Sequence, residues 1–191
     1  CNLIMVKVLD RKGNGYSSDV LAGISWVLER KEQLGIRILN ISVGACSKRG
    51  MSENSALVKG VNRAWDAGLV VVVAAGNNGP RTMSITTPGI SRKVITVGCS
   101  DDDREVLVGG NRMVDYSGRG PTAACICKPD LVAPGCSVVS CSSRADKYTI
   151  KSGTSMSTPI VSGAVALLLE RFPDMSNKDV KLRLRESSVD I

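Results

Sequence analysis

Residues 69–75, Leu69-Val70-Val71-Val72-Val73-Ala74-Ala75, form an uninterrupted apolar run dominated by β-branched side chains. Successive side chains of a strand point to opposite faces of the sheet. A strand with one wet face would carry a polar residue at every second position, and this run carries none. It reads as a strand buried on both sides, the habit of parallel sheets covered by helices. Gly76-Asn77-Asn78-Gly79-Pro80 ends it in a turn. Just upstream, Leu57, Val61, Ala64 and Trp65 fall at helical spacing, and Gly68 closes that helix. Residues 36–43 (IRILNISV) make another strand, leading into Gly44. Asp19 caps an earlier helix that carries Val20, Ile24, Val27 and Leu28 on one face and stops at Gly35. Residues 3–9 (LIMVKVL) read as a buried strand, residues 10–15 as a turn, and residues 94–98 (VITVG) as a further strand. Strands alternating with helices of this length imply right-handed βαβ crossovers and an α/β fold with a parallel sheet.

Beyond residue 100 the pattern changes. Asp101, Asp102, Asp103 and Arg104 mark a surface loop, and Gly109-Gly110 and the segment 118–121 mark turns. Residues 131–132 and 137–140 are short strand candidates. Residues 155–170 form an apolar, small-residue helix with the character of one buried on nearly every side, followed by Pro173. An amphipathic helix from about 176 to 187 carries Lys178, Lys181, Arg183 and Arg185. No linker, repeat or low-complexity tract interrupts the chain, so residues 1–191 read as one domain.

Composition narrows the function. The 191 residues include 25 Lys+Arg, 18 Asp+Glu and no histidine, for a net charge of +7. Hydrophobic content of 43% with 23% charged residues excludes a disordered chain or a coiled coil. The positive charge is dispersed, and 3% aromatics is too few for base-stacking platforms, so nucleic acid is not an expected partner. The longest apolar stretch, within residues 160–169, is broken by Ser162 and Gly163 and is too short to span a bilayer. Cys1-Asn2 and the apolar residues after them do not make a signal peptide. Seven cysteines without C-x-x-C spacing are neither a disulfide framework nor a zinc ribbon, and only Cys125 and Cys127 lie close together. They read as reduced structural thiols of a cytoplasmic protein, with secretion as the alternative. The lack of histidine excludes a His-based triad, dyad or zinc site made by this chain alone, and no metal ligand set stands out.

Three segments can carry chemistry. Gly153-Thr154-Ser155-Met156-Ser157-Thr158-Pro159 puts a serine at the start of a long helix, where free N–H groups and the positive dipole end stabilise negative charge. Residues 74–80 and 40–44 lie at the carboxyl ends of two strands, where open parallel sheets bind ligands. Neither is a G-x-G-x-x-G or Walker A loop, so a nucleotide site has little support. Each residue also fits a blander role. Ser155 fits a plain helix cap, Asn77 a left-handed turn residue, Ser42 and Gly44 an ordinary strand end, and Thr86 a packing residue.

The ordered segments NISVGA, VVVVAAGNNGP, TTPG, VITVG, YSGRGP, KPDLVAPG and GTSMSTPIVSGAVALLL resemble the subtilisin-like serine proteases, the subtilase family. The resemblance runs from the strand at 3–9 to the last helix, and the opening at 7–15 is similar to the intracellular branch. It implies a three-layer α/β domain, a mostly parallel sheet with helices on both faces. It also implies a serine endopeptidase in which Ser155 is the nucleophile and Asn77 the side-chain donor of the oxyanion hole. The backbone N–H of Ser155 becomes the second donor. Ser42, Val43 and Gly44 match the edge that pairs with the substrate backbone as an added strand. Ala74, Ala75 and Gly76 match one wall of the pocket for the residue before the cleaved bond. Thr86 falls at the base of that pocket, where it makes the pocket shallower than a glycine would. The family also places a cis proline at Thr87–Pro88.

The departures from the family are as informative. Subtilases order their triad Asp, His, Ser along the chain. The strand with the Asp and the helix with the His belong before residue 3, and Asp10 stands in the wrong place to replace the triad Asp. The expectation is therefore a partial catalytic domain that lacks an N-terminal strand and helix and is inactive alone. No cofactor is expected in it, and calcium is possible in the intact parent. Peptides or proteins are the expected substrates. Self-association, or pairing with the missing part, would cover the strand at 3–9. The alternatives are a non-catalytic, peptide-binding remnant and, from another class, a nucleotide-binding α/β domain.

Overall fold

A computed structural model describes residues 1–45, 53–142 and 147–190. Helix α1 (Ser17–Leu34) leads to strand β1 (Ile38–Ile41), helix α2 (Ala56–Asp66) and strand β2 (Val70–Ala74). Strands β3 (Ile95–Cys99), β4 (Val106–Val108), β5 (Asn111–Met113), β6 (Leu131–Ala133), β7 (Val138–Cys141) and β8 (Tyr148–Lys151) follow, and helices α3 (Thr154–Arg171) and α4 (Asn177–Glu186) close the chain. The main sheet has the order β1-β2-β3-β6, with every neighbouring pair parallel. Two antiparallel hairpins, β4–β5 and β7–β8, stand beside it.

The sheet explains the run that opened the sequence reading. All five residues of β2 are buried, and since they alternate between faces, both faces of the strand are covered. Val61, Ala64 and Trp65 of α2, Ile24 and Val27 of α1, and Val161, Val165 and Leu169 of α3 belong to the same core. Ser55 starts α2 by accepting a hydrogen bond from Val58 N, and Gly35 ends α1 in the left-handed conformation that glycine tolerates best.

Four expectations are corrected. Residues 3–9 do not join the sheet, and Leu3 and Met5 are 91% exposed. Val6 and Val8 instead lie against Gly23 of α1, where a built Cβ would meet them at 3.2 and 2.8 Å. A gap of about 430 Å³ separates residues 5–9 from β1, lined by Val20, Ile24 and Val27 among others. An apolar, β-branched run has the composition of a strand, but a ladder needs a neighbour at hydrogen-bonding distance, about 4.8 Å away. Second, Asp19 lies inside α1, and its carboxylate reaches back to Tyr16 N at 3.1 Å. Third, α3 is not buried all round. Its buried side is Thr154, Ser157, Thr158, Val161, Val165 and Leu169, while Leu167 on the opposite side is 68% exposed. Its apolar residues occur on both sides, but the sheet covers one. Fourth, β4, β5 and β8 are not foreseen, because runs of three or four residues are too short to carry a periodic signal. The Thr87–Pro88 bond is cis as expected, and Gly79–Pro80, Gly120–Pro121 and Lys128–Pro129 are cis as well. Cys46 lies outside the described residues.

A buried charge cluster ties β3, β6 and α4 together. Asp130 Oδ2 accepts hydrogen bonds from Thr96 N at 2.8 Å and from Lys128 Nζ at 2.5 Å. Lys181 Nζ of α4 stands 3.0 Å from the other carboxylate oxygen and donates to the carbonyl of Val94 at 2.8 Å. Burial pulls the Lys128 ammonium down from its usual 10.5 to about 8, partly offset by Asp130. A lysine with a depressed folded pKa binds fewer protons folded than unfolded between those values, so its contribution to stability rises with pH from about 8 to about 10.5. Denaturant melts across that window should show a rise in the parent chain that is absent in Lys128→Met. Equal slopes for the two would contradict this.

Candidate active site

The turn after β2 and the start of α3 meet through three hydrogen bonds. Gly76 N donates to Thr154 Oγ1 at 3.1 Å, and Thr154 N and Oγ1 donate to Asn77 Oδ1 at 3.0 and 3.1 Å. An amide whose oxygen is held by two donors has its orientation set, so Nδ2 is the end left to donate. That end lies against Gly153, where a built Cβ would come 3.2 Å from it. Gly153 is the N-cap of α3, with φ 139°, a left-handed-side value that glycine adopts freely.

Ser155 follows two residues later, half-buried in the first turn of α3. The first N–H groups of a helix have no intrahelical acceptor and carry the positive end of its dipole. Ser155 Oγ donates to the carbonyl of Ser42 at 2.8 Å. That carbonyl cannot take a proton, so this contact orients the hydroxyl without activating it. Ser42 follows β1, and its own hydroxyl accepts from Asn40 Nδ2 at 3.0 Å. Asn40 Oδ1 in turn accepts from Ser162 of α3 at 2.9 Å, which fixes β1 against the helix that carries Ser155.

The segment 42–44 then passes Thr86. A Cβ built on Gly44 would stand 2.5 Å from Thr86 Oγ1, and one on Gly76 would stand 2.4 Å from Thr86 Cγ2. The Thr86 side chain therefore fills the space between these two glycines. Its N–H and hydroxyl both donate to Ala75 O, at 2.8 and 3.2 Å. Next to it, Ala45 and Thr87 form an antiparallel bridge. Ala74, Ala75 and Thr86 are buried, Ser42, Val43, Gly76 and Asn77 are half-buried, and Gly44 is exposed.

All nine sequence-derived candidates thus lie in one neighbourhood. Contacts run from Ser155 to Ser42, along the chain to Gly44, through Thr86 to Gly76 and Asn77, and back through Thr154 to Ser155. A cavity of about 430 Å³ opens on the other side of Ser155, between Met156, Pro159 and the β7–β8 hairpin. Two contributors escaped the sequence reading. Thr154 looks like spacer beside a serine, and only its position within the GTS segment marked it. The β7–β8 hairpin was half seen, because β8 (Tyr148–Lys151) carries no clear alternation. Asp10 is a turn residue, accepting from Lys12 N and Asn14 N at 2.8 and 2.9 Å.

Comparison with known proteins identifies the family and the fold. The family model of the subtilases matches residues 1–190. Serine protease AprX of Bacillus subtilis (strain 168) is 39% identical over 204 residues, which take in 98% of this chain and 46% of that protein. Subtilisin DY of Bacillus licheniformis is 33% identical over 192 residues, covering 100% of this chain and 62% of that protein. The solved structure of Sphericase superposes with a TM-score of 0.77 at 33% identity, over 95% of this chain and 58% of that one. The chain spans about half the length of the curated relatives it matches, 46% and 62% in these two cases.

The contacts of Thr86 generate a stability prediction. Gly44→Ala should destabilise the chain by about 1–3 kcal/mol through overpacking against Thr86. In a Thr86→Gly background the same change should cost far less, a coupling of about 0.5–3 kcal/mol. Urea unfolding of the four members of the cycle measures it, and additive effects would show that Gly44 and Thr86 do not compete for that space.

Proposed function

The chain belongs to the subtilase family, and from that premise we propose that the protein carrying it is a serine endopeptidase whose nucleophile is Ser155. The observation that carries the reading is the clamp of Thr154 on Asn77, which puts a pre-oriented amide donor and the hydroxyl of Ser155 at the same helix start. Attack by Ser155 Oγ on a peptide carbonyl moves negative charge onto the carbonyl oxygen. Asn77 Nδ2 and the N–H of Ser155 are the donors for it, and the α3 dipole adds to them. Because Asn77 is held before substrate arrives, little reorganisation is needed as the charge develops.

The substrate is an extended peptide or protein segment. Its backbone pairs with residues 42–44, and the side chain before the cleaved bond enters between that edge and residues 74–76. Thr86 bounds the pocket and favours small or medium side chains there. We assign no cofactor to these steps.

A serine hydroxyl is a poor nucleophile unless a base takes its proton. Histidine is absent from all 191 residues, so the base must come from elsewhere in the parent protein, together with the acid that orients it. In this family, loss of the histidine costs about a million-fold in turnover. The non-catalytic, peptide-binding reading uses the same 42–44 edge. It leaves the held amide of Asn77 without a role.

Two measurements test the proposal. A fluorophosphonate probe should label Ser155 stoichiometrically in the intact protein and leave the 191-residue chain unlabelled at neutral pH. No labelling of the intact protein would favour the remnant. In the intact protein, Asn77→Ala should lower kcat by about 10²–10³ with little change in KM, the size this oxyanion donor shows in the family. Unchanged turnover would remove Asn77 from the mechanism.

A further inference from the structure

Behind the candidate active site, three elements converge on a group of donors that the peptidase reading does not use. Cys99 ends β3, Asp101 follows it, Tyr116 lies in the loop after β5, and Cys136 precedes β7. Cys99 Sγ donates to Asp101 Oδ1 at 3.1 Å and lies 3.2 Å from the Tyr116 hydroxyl. Cys136 Sγ lies 3.2 Å from the same hydroxyl. The two sulfurs and a carboxylate oxygen all fall within 4.8 Å of one another. Cys99 and Tyr116 are buried, while Asp101 and Cys136 are half-buried, so the group opens to solvent on one side.

We propose that Cys99, Cys136 and Asp101 form a binding site for a soft divalent cation of the zinc type, with the Tyr116 hydroxyl as a fourth, neutral donor. Two sulfurs with one carboxylate suit zinc, cobalt or cadmium rather than calcium or magnesium, which take oxygen ligands. The size also fits. Zinc bonds of about 2.3 Å to sulfur and about 2.1 Å to oxygen give a tetrahedron with edges of about 3.5–3.8 Å. The contacts of 3.1 and 3.2 Å need to open by about half an ångström, and the other pairs among the two sulfurs and the carboxylate oxygen, within 4.8 Å, need to close by about 1 Å at most.

The surroundings hold the donors in place. Asp101 Oδ1 accepts from Gly135 N at 2.7 Å and from Cys136 N at 3.1 Å, which aims the carboxylate at the two sulfurs. Val106, Val108 and Met113 pack around the group and give it the apolar wall that metal centres use to control solvent access. On binding, each S–H bond is replaced by an S–metal bond and two protons leave to solvent, so charge and atoms balance.

Cation binding fits this group better than a disulfide. The Tyr116 hydroxyl sits between the two sulfurs, and an S–S bond of about 2.05 Å would have to expel it and would leave Asp101 unused. The site also touches the catalytic loop. Gly135 O accepts from Gly153 N at 2.9 Å, two residues before Ser155. The sequence reading found no metal site because it looked for C-x-x-C spacing, whereas these cysteines are brought together only by the β3–β6 pairing and the loop after it.

The test is titration of the intact, reduced protein with Co²⁺ under anaerobic conditions. One equivalent should give thiolate-to-cobalt charge-transfer absorption and tetrahedral ligand-field bands, and Zn²⁺ should displace both. Cys136→Ser should weaken binding at least tenfold and lose half of the charge-transfer intensity. A Cys125→Ser/Cys127→Ser double variant, which removes the exposed C-x-C thiols, should bind as the parent does. Absent absorption, or absorption that follows Cys125 and Cys127, overturns the proposal. X-ray absorption at the zinc edge of the parent protein gives a readout that needs no variant. Two sulfur scatterers at about 2.3 Å are expected, and a shell of oxygen and nitrogen alone would refute the site.

Discussion

Thr154 joins the two halves of the candidate site. It accepts from Gly76 and donates to Asn77, residues 78 and 77 positions away in sequence. Through it the carboxyl end of β2 and the start of α3 become one rigid unit. Most buried polar groups are hydrogen-bonded, and Thr154 is fully buried, with its hydrogen-bond partners in the turn after β2 and in its own helix. Its partners are therefore not free to wander. The amide of Asn77 faces the helix start because its oxygen is already in use, and Ser155 stands next to it because Thr154 is held there.

That unit depends on the sheet. The carboxyl ends of parallel strands lie along one border, and the helix crossovers leave a crevice above them. β2 delivers residues 75–77 to this border, and β1 delivers residues 42–44. Thr86 arrives from the chain between β2 and β3 and occupies the space that Gly44 and Gly76 leave open. A side chain at either glycine would push Thr86 away from the Ala75 carbonyl. The pocket is shaped by what two glycines omit as much as by what Thr86 adds.

Among the described residues, the main sheet has two edge strands, β1 and β6, and apolar side chains stand beside the first. β1 has β2 on one side only, and residues 5–9 stand off across a gap lined by apolar side chains. The outward side of α3 carries Ile160 and Leu167 in the open. The chain spans about half the length of the curated relatives it matches, 46% of AprX and 62% of subtilisin DY.

The sequence by itself determined the α/β class, four helices within two or three residues of their observed ends, and the strands that became β1, β2, β3, β6 and β7. Long apolar or periodic segments carry that information locally, because burial on one or two faces demands it. The nine candidate site residues were legible too, through ordered motifs that resemble a family. Three things belonged to the tertiary structure alone. Whether residues 3–9 form a ladder depends on a neighbour that composition does not specify. Which side of α3 is buried depends on the sheet, since its apolar residues point both ways. The convergence of Cys99, Asp101, Tyr116 and Cys136, and the grip of Thr154 on Asn77, come from distant segments meeting in space. Hydrogen bonds and donor clusters of that kind leave no periodicity behind, because their distances are set by packing and not by spacing along the chain.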